Sequence, residues 1–338
     1  MATIAHPPPL PAAPPRRSIV TTRRKTDPLD FFLGVGPTIA TSIVVSGLLL
    51  ILGIIAVHGA PAVDWDFLTK APTSDPAKPY GILPAIIGTI FLSILMIVLA
   101  LPLGVFAAIY LVEYAGNNRM ARVIRAAVNN LAGVPSIVFG LFGVGFFVLF
   151  VGRMLDRMTQ PLDAASGQPI LFYGQPALFW AACTLACLVL PVIIVSTEEA
   201  LLAVPASYRE AALALGASKW QTIREVVLPQ ARGGILTGAI LAISRGAGET
   251  APILFTGAAY FLPELPLFYW HGIPVINPWT QFMEMAYHIF ILTTQSTDPI
   301  RELPHQFGTT LVLLVLTFGL NLTAIIARYR FRRALAHQ

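Results

Sequence analysis

Residues 209–234 read REAALALGASKWQTIREVVLPQARGG, a charged stretch that lies between two long apolar segments. The whole chain has 338 residues, of which 56% are hydrophobic and only 12% are charged. Soluble domains carry about 25% charged residues, so this composition indicates a polytopic membrane protein. The net charge of +5 is not a sign of nucleic-acid binding, because the basic residues lie beside the apolar segments. The charged stretch is therefore predicted to be a loop between two membrane spans.

This loop predicts two short helices joined by a glycine turn. Pro205 suits a first helical turn and Gly216 suits a helix end, so we expect a helix over residues 206–215. Ser218 and Gln221 have the spacing of a capping box, which predicts the start of a second helix.

The second helix carries Trp220, Ile223 and Val227 at helical spacing, and we expect Pro229 to end it. Alanines at positions 211, 212 and 214 keep the first helix thin, and a thin helix is able to enter a groove on a partner protein. The alternative is an ordinary loop that folds for its own stability. Spacing alone leaves both interpretations open.

Long uncharged gaps predict six membrane-spanning helices and an all-α polytopic fold. The fifth segment differs from the others because Arg245 and Glu249 interrupt it. The expected spans cover residues 37–58, 83–111, 133–152, 176–196, 234–258 and 308–327.

The distribution of basic residues predicts the orientation of these spans. With both termini in the cytoplasm, 16 lysines and arginines lie on the cytoplasmic side and five on the other side. The loop over 197–233 is then cytoplasmic, and the loop over 259–307 faces outward. The expected domains are a disordered, proline- and arginine-rich tail over 1–35, a six-span domain over 36–333 and a cytoplasmic end over 334–338.

The outward loop contains NPWTQFMEMAYHIFIL at 277–292, which predicts a helix too short to cross a membrane. Glu284 and His288 also argue against a span, so we expect an interfacial or re-entrant helix with His288 as a surface histidine. Cys183 and Cys187 lie four residues apart in an apolar run, so small buried side chains are expected there, without a disulfide or a metal site.

Arg245 and Glu249 lie inside the fifth predicted span, where a charge costs roughly 2.5–3.5 kcal/mol on insertion scales. At positions i and i+4 the two side chains share a helix face and can neutralise each other. One interpretation is that the pair only holds the helix bundle together. The interpretation we favour is that Arg245 faces an aqueous pathway and transiently binds an anion, while Glu249 holds the arginine in place.

The same span repeats small residues at every fourth position, which predicts close contact with a neighbouring helix. These residues are Gly234, Gly238, Ala242 and Gly246.

The loop over 197–233 resembles a known motif. Its order Glu210-Ala211-Ala212, three residues, Gly216, nine residues, Val226, one residue, Leu228-Pro229 is similar to the EAA loop of ABC-importer permeases, where isoleucine is usual in place of Val226. The resemblance implies a type I ABC importer permease fold. It also implies that the loop is a coupling helix, which docks in a cleft of an ATP-binding subunit. The coupling residues would be Glu210, Ala211, Ala212, Gly216, Val226, Leu228 and Pro229.

The sequence contains no phosphate-binding loop of the pattern G-x-x-x-x-G-K-[ST]. We therefore expect that the chain is not its own P-loop ATPase. The resemblance to the permeases implies a transporter subunit that is not itself an enzyme and binds no cofactor. ATP and Mg²⁺ would be bound by the partner ATPase.

Four further stretches resemble the permeases of phosphate-specific ABC importers, in particular their A-type subunit. They are IYLVEYAGNN at 109–118, GVPSIVFGLFG at 133–143, STEEALLAVPASYREAALALG at 196–216 and AISRGAGETAPILF at 242–255. The resemblance implies a sister permease subunit, two ATP-binding subunits and an extracytoplasmic phosphate-binding protein as partners. Many members of the family carry an arginine near the end of span four, where this chain has Val195 and Ser196. A permease for another oxyanion (sulfate, molybdate) and a stand-alone secondary transporter or channel are the alternatives.

Overall fold

The computed structural model describes residues 28–73, 80–116, 118–161, 170–296 and 298–336. Contacts within the chain divide it into two compact units, with the boundary between Leu52 and Gly53. The first helix begins at Pro28, inside the tail predicted over 1–35. Residues 1–27 of that predicted tail lie outside the described part of the chain.

Helices make up most of the described chain. In chain order they are α1 (Pro28–Gly59), α2 (Trp65–Thr69), α3 (Leu83–Ile109), α4 (Arg119–Ala132), α5 (Ser136–Gly143), α6 (Arg153–Thr159), α7 (Leu178–Leu202), α8 (Ala206–Ala214), α9 (Lys219–Gln221), α10 (Leu228–Gly246), α11 (Met285–Thr294) and α12 (Pro299–Ala336). A 3-10 turn follows α1 at Ala60–Ala62. Wider π-helical turns extend α3 through Tyr110–Tyr114, join α5 to α6 through Val144–Gly152 and join α9 to α10 through Thr222–Val227.

Six helical segments of the described chain are long and apolar enough to cross a membrane, as the sequence predicts. The last of them begins at Ile300, eight residues before the predicted boundary. The segments cover Gly34–Ala62, Leu83–Tyr114, Ser136–Thr159, Leu178–Leu202, Lys219–Gly246 and Ile300–Arg330.

The fifth span differs from the prediction at both ends. We expected a helix over 234–258 after a stop at Pro229, but one continuous segment runs over Lys219–Gly246. Pro229 lies in the first turn of α10, directly after a π turn that already interrupts the α-helical hydrogen bonds, so its missing N–H is tolerated. Residues 247–257 form turns instead of a helix.

Helix α7 is the centre of the second unit, where it packs against α3, α5 and α10. The most apolar stretch of α7 is 67% buried, a larger share than in the other spans of the described chain. The side chains of Leu185, Val189 and Ile193 form this core together with Leu92 and Met96 of α3.

The small residues of α10 allow the helices to approach closely, so the predicted contact face is confirmed. A Cβ atom on Gly238 would overlap the side chain of Ser196, and one on Gly246 would overlap the sulfur of Met96. A Cβ atom on Gly234 would overlap Ala200 in the same way.

Four short strands connect α10 to α11: β1 (Ala258–Ala259), β2 (Leu267–Trp270), β3 (Ile273–Ile276) and β4 (Phe282–Met283). Strands β2 and β3 form an antiparallel hairpin, whereas β1 and β4 pair in parallel. The helix predicted over 277–292 is displaced, because α11 begins only at Met285. The Glu284 side chain fixes this start by accepting hydrogen bonds from the backbone N–H groups of Ala286 and Tyr287, at 2.9 and 2.7 Å.

Replacing Gly238 with leucine should destabilise the protein, because the new side chain would force α10 away from α7. Overpacking of this kind costs about 1–3 kcal/mol. The thermal unfolding temperature of the purified chain in mild detergent measures the effect. Gly233→Leu is the matched control, because no atom lies within 4 Å of the added Cβ position. An equal loss of stability in the two variants would contradict the close packing.

Candidate functional site

The segment from α8 to α9 forms the helical hairpin that the sequence predicts. Gly216 has φ +85°, the left-handed conformation that glycine adopts without strain, and it lies in the turn between the two helices. The Ser218 N–H donates to Gln221 Oε1 at 2.8 Å, and the Gln221 N–H donates to Ser218 Oγ at 3.3 Å. The helix end at Gly216 and the capping box are therefore both confirmed.

The seven residues at the positions of the EAA pattern fall into two groups. Glu210, Ala211 and Gly216 are exposed, and Ala212 is half-buried, so the first group lies on the open surface of the hairpin. Val226, Leu228 and Pro229 are half-buried on the continuous helix that leads into the membrane. The pattern thus connects an exposed surface to a packed span along one stretch of chain.

Arg209 clamps the hairpin to the ends of two spans. Its Nη2 lies 2.8 Å from Glu113 Oε1, at the end of the span that contains α3, and its Nε bonds the same oxygen at 3.0 Å. The guanidinium also donates to the backbone carbonyls of Leu201 and Val204, where α7 ends, at 2.8 and 2.7 Å. The Glu113 side chain is only 9% exposed, so this is a largely desolvated ion pair with several charge-assisted hydrogen bonds.

Two more contacts reinforce this end of the bundle, which we call the hairpin end. The ammonium of Lys219 lies 4.8 Å from the centre of the Tyr114 ring. Arg125 of α4 pairs with Glu198 of α7 at 2.9 Å and donates to the carbonyl of Leu111 at 2.9 Å. The ends of α3, α4 and α7 and the hairpin are therefore cross-linked by arginine.

The hairpin also presents apolar side chains without covering them. Leu215 is 90% exposed, and Tyr208, Leu213 and Trp220 are each about half exposed. No residue of α8 is buried. Large exposed apolar groups on a short, well-capped hairpin are typical of a surface that binds another protein.

Arg245 and Glu249 form an ion pair at the end of α10. Their closest atoms, Arg245 Nε and Glu249 Oε1, are 3.6 Å apart, and the side chains are 38% and 22% exposed. The expectation that both residues lie within one helix is wrong, because α10 ends at Gly246, between them. The arginine instead occupies the last helical turn, where its charge complements the negative end of the helix dipole.

This helix end lies deep inside the bundle. Gly246 faces Met96 and Val189, which are near the middle of α3 and α7. The turn that follows packs on α5, since a Cβ atom on Gly140 would meet Ala251 and Pro252. Irregular backbone at membrane depth is tolerated only where protein covers it or water reaches it. The exposed Arg245 and Gly248 lie on the uncovered side of this break.

The two cysteines are free thiols, and they are half-buried where the sequence predicts buried side chains. They line a small apolar cavity of about 160 Å³ with Leu99, Leu103 and Phe147. Within the described chain, no group of three or more histidine, cysteine, aspartate and glutamate side chains is arranged to hold a metal ion.

The sequence interpretation missed a polar cluster next to α11. His288 is fully buried, so the expectation of a surface histidine is wrong. Its Nε2 lies 2.8 Å from the hydroxyl oxygen of Tyr80, and the Thr89 hydroxyl lies 3.4 Å from Glu284 Oε1. Burial raises the pKa of Glu284 to about 7, although hydrogen bonds to its carboxylate oppose that shift. Burial lowers the pKa of His288 to about 4.

A family model described as "Binding-protein-dependent transport system inner membrane component" matches residues 100–337 of the chain. The chain is 31% identical over 286 residues to the probable ABC transporter permease protein YqgI of Bacillus subtilis, covering 83% of this chain and 90% of that protein. It is 35% identical over 250 residues to the phosphate transport system permease protein PstA 1 of Mycobacterium tuberculosis, covering 74% of this chain and 70% of that protein.

The phosphate transport system permease protein PstA of Haemophilus influenzae is 37% identical over 207 residues, covering 61% of this chain and 65% of that protein. Among solved structures, one chain of a bacterial alginate ABC transporter superposes with a TM-score of 0.59 at 13% identity. It covers 92% of this chain and 98% of that chain, and so supports the same fold.

The buried cluster predicts how stability depends on pH. The raised pKa of Glu284 makes the folded state bind the extra proton between the ordinary glutamate value and pH 7, so this group lowers stability as pH rises there. The lowered pKa of His288 raises stability between pH 4 and about 6.5. Each shift corresponds to roughly 3 kcal/mol, so the two nearly cancel in that range.

Glu284→Gln should therefore expose the histidine contribution. The unfolding temperature of the variant should rise as pH increases from about 4.5 to about 6.5. Over the same range these two groups leave the unfolding temperature of the wild type nearly unchanged. Thermal unfolding of both proteins over this pH range measures the difference. Parallel pH profiles for the two proteins would contradict the assigned pKa of Glu284.

Proposed function

The chain belongs to the family of inner membrane components of binding-protein-dependent transport systems, and from this premise we propose that it is a permease subunit of an ATP-driven importer of inorganic phosphate. The observation that carries the coupling role is the exposed hairpin, which Arg209 clamps to two spans. The cargo is inferred from relatives named as phosphate transport permeases, at 35–37% identity.

In this proposal, α8 docks in a cleft of an ATP-binding subunit. The uncovered Leu213, Leu215 and Trp220 supply an apolar contact surface, and Glu210 and Gly216 lie on the same hairpin. Closure of the ATP-binding subunits displaces α8. Because Arg209 is bonded to Glu113 and to the last carbonyls of α7, the displacement reaches the spans without being absorbed in a flexible loop.

The substrate pathway passes the broken span. Arg245 offers a permanent positive charge and a planar donor fork that matches phosphate oxygens, and it is partly exposed at the depth where α10 ends. Glu249 holds the guanidinium at 3.6 Å and reduces its net attraction for an anion. The ion is therefore bound weakly enough to be released, which a transport pathway requires.

The remaining subunits supply what this chain lacks. A sister permease completes the pathway, two ATP-binding subunits hold ATP and Mg²⁺, and an extracytoplasmic binding protein delivers phosphate. This chain is a transporter subunit that binds no cofactor, and both of its termini are cytoplasmic, with the hairpin on the same side. The 16 to five distribution of basic residues supports that orientation.

Two alternative functions agree with the structure and the family match to different degrees. Another oxyanion, such as sulfate or molybdate, fits the same architecture, because the Arg245 guanidinium recognises the negative charge and a pair of oxygens more than the identity of the central atom. A stand-alone secondary transporter or channel fits poorly, because the family model covers residues 100–337 and includes the hairpin. The uptake measurements below discriminate between the cargoes.

Arg209→Met should uncouple ATP hydrolysis from transport. Loss of a charge-assisted, partly buried contact of this kind corresponds to about 1.5–3 kcal/mol, so we expect roughly ten-fold or greater loss of phosphate uptake while the assembled complex still hydrolyses ATP. The assembled transporter, reconstituted in vesicles, allows both rates to be measured. Arg224→Met, which removes an exposed arginine from the π turn directly after the hairpin, is the control and should leave the ratio unchanged. A wild-type ratio of phosphate uptake to ATP hydrolysis in the Arg209 variant would contradict a coupling role for Arg209.

Arg245→Gln should reduce uptake of labelled phosphate by about ten-fold or more while the subunits still assemble, because the pathway loses its fixed charge. Arg157→Gln removes an exposed arginine from α6 instead and should leave uptake unchanged. Unchanged uptake in the Arg245 variant would favour a purely structural ion pair.

A further inference from the structure

Helix α4 is a cationic, amphipathic helix held at the hairpin end of the bundle. It reads RMARVIRAAVNNLA and contains no acidic residue. It follows a span that ends at Tyr114 and precedes one that begins at Ser136. The Asn118 side chain caps it by accepting from the Ala121 N–H at 2.7 Å. Short connections on both sides keep α4 at the level where these spans leave the membrane.

One face of α4 is anchored to the protein. Ala121 is fully buried, and Ile124 and Val128 pack against the buried cluster that includes Ile223 of the hairpin segment. Arg125 lies beside this face and is bonded to Glu198. These contacts fix the rotation of the helix, and therefore determine which residues point away from the protein.

The rest of α4 is exposed and is divided into two stripes. Met120 and Val123 are 62% and 64% exposed and form an apolar stripe with Ala127. Arg119 and Arg122 are exposed on the neighbouring side, and each lies within roughly 100° around the helix of Val123, the nearest residue of the apolar stripe. This arrangement of an apolar stripe beside cations is typical of helices that lie in the plane of a membrane interface.

We propose that α4 binds the headgroup of an anionic phospholipid through Arg119 and Arg122, with Met120 and Val123 inserted among the acyl chains. The position of α4 at the ends of two spans places it at the headgroup level. The guanidinium fork matches the oxygens of a phosphodiester, and an anionic headgroup complements a helix that carries no negative charge. Arg125 does not take part, because Glu198 already occupies it. The inference is independent of the identity of the transported ion.

Lipid retention by the full chain tests this proposal. The purified chain in mild detergent is titrated with phosphatidylglycerol or with phosphatidylcholine of the same acyl chains, and bound lipid is counted by native mass spectrometry. We expect a preference for phosphatidylglycerol that falls about ten-fold or more in Arg119→Gln/Arg122→Gln, at roughly five-fold per arginine. The lysine double variant should keep most of the preference. Met120→Ser/Val123→Ser should weaken retention of both lipids.

The control removes two arginines from the opposite end of the bundle. Arg157→Gln/Arg301→Gln changes the net charge equally, at two exposed positions, and should leave the preference intact. Three results would overturn the proposal: equal retention of both lipids, the same loss in the control variant, or displacement of the lipid by millimolar inorganic phosphate. Repeating the titration on the assembled transporter supports the proposal if the preference persists. Its disappearance there would overturn the proposal, because α4 would then not bind lipid in the assembled protein.

Discussion

Arg209 joins the hairpin to two spans at once, and the proposed transmission of motion through α8 depends on that junction. A helix with no buried residue has little of its own to hold it in place. In place of hydrophobic packing, the Arg209 guanidinium holds α8 through bonds to Glu113 and to two backbone carbonyls at the end of α7. Because the pair is largely shielded from water, its attraction is screened less than that of a surface salt bridge. The exposed surface of α8 is therefore free to bind a partner while its base stays attached.

The second constraint is the end of α10 near the middle of α3 and α7. A continuous helix would satisfy its own backbone, whereas a helix that stops at this depth needs its last carbonyls to be compensated. Arg245 supplies a positive charge at that place, and the glycine face allows α10 to reach it by packing closely on α7 and α3. The end of α10 beside Arg245 thus accounts for a break in a span, for a charge at this depth and for a candidate contact for an anion.

The parts of the fold that local signals determine were predictable, and the parts that distant contacts determine were not. The glycine turn and the capping box depend on neighbouring residues, so spacing predicted them correctly. The predicted bounds of the fifth span were wrong because apolar composition continues past Gly246, and because a π turn lets the helix pass Pro229. Residues 96 positions apart form the Arg209–Glu113 pair, and residues 208 apart form the Tyr80–His288 contact, so no periodicity in one segment reveals either.

A competition uptake assay is the most direct test that phosphate is the transported ion. Cells that lack this chain are complemented with it and given labelled phosphate at micromolar concentration, with excess arsenate or sulfate as the competitor. We expect that uptake is restored, that arsenate blocks it and that sulfate does not. Arsenate and phosphate are tetrahedral anions with similar protonation, so they compete for the same sites. Uptake that is not restored, in cells where the protein is present and bound to an ATPase, would contradict phosphate as the cargo.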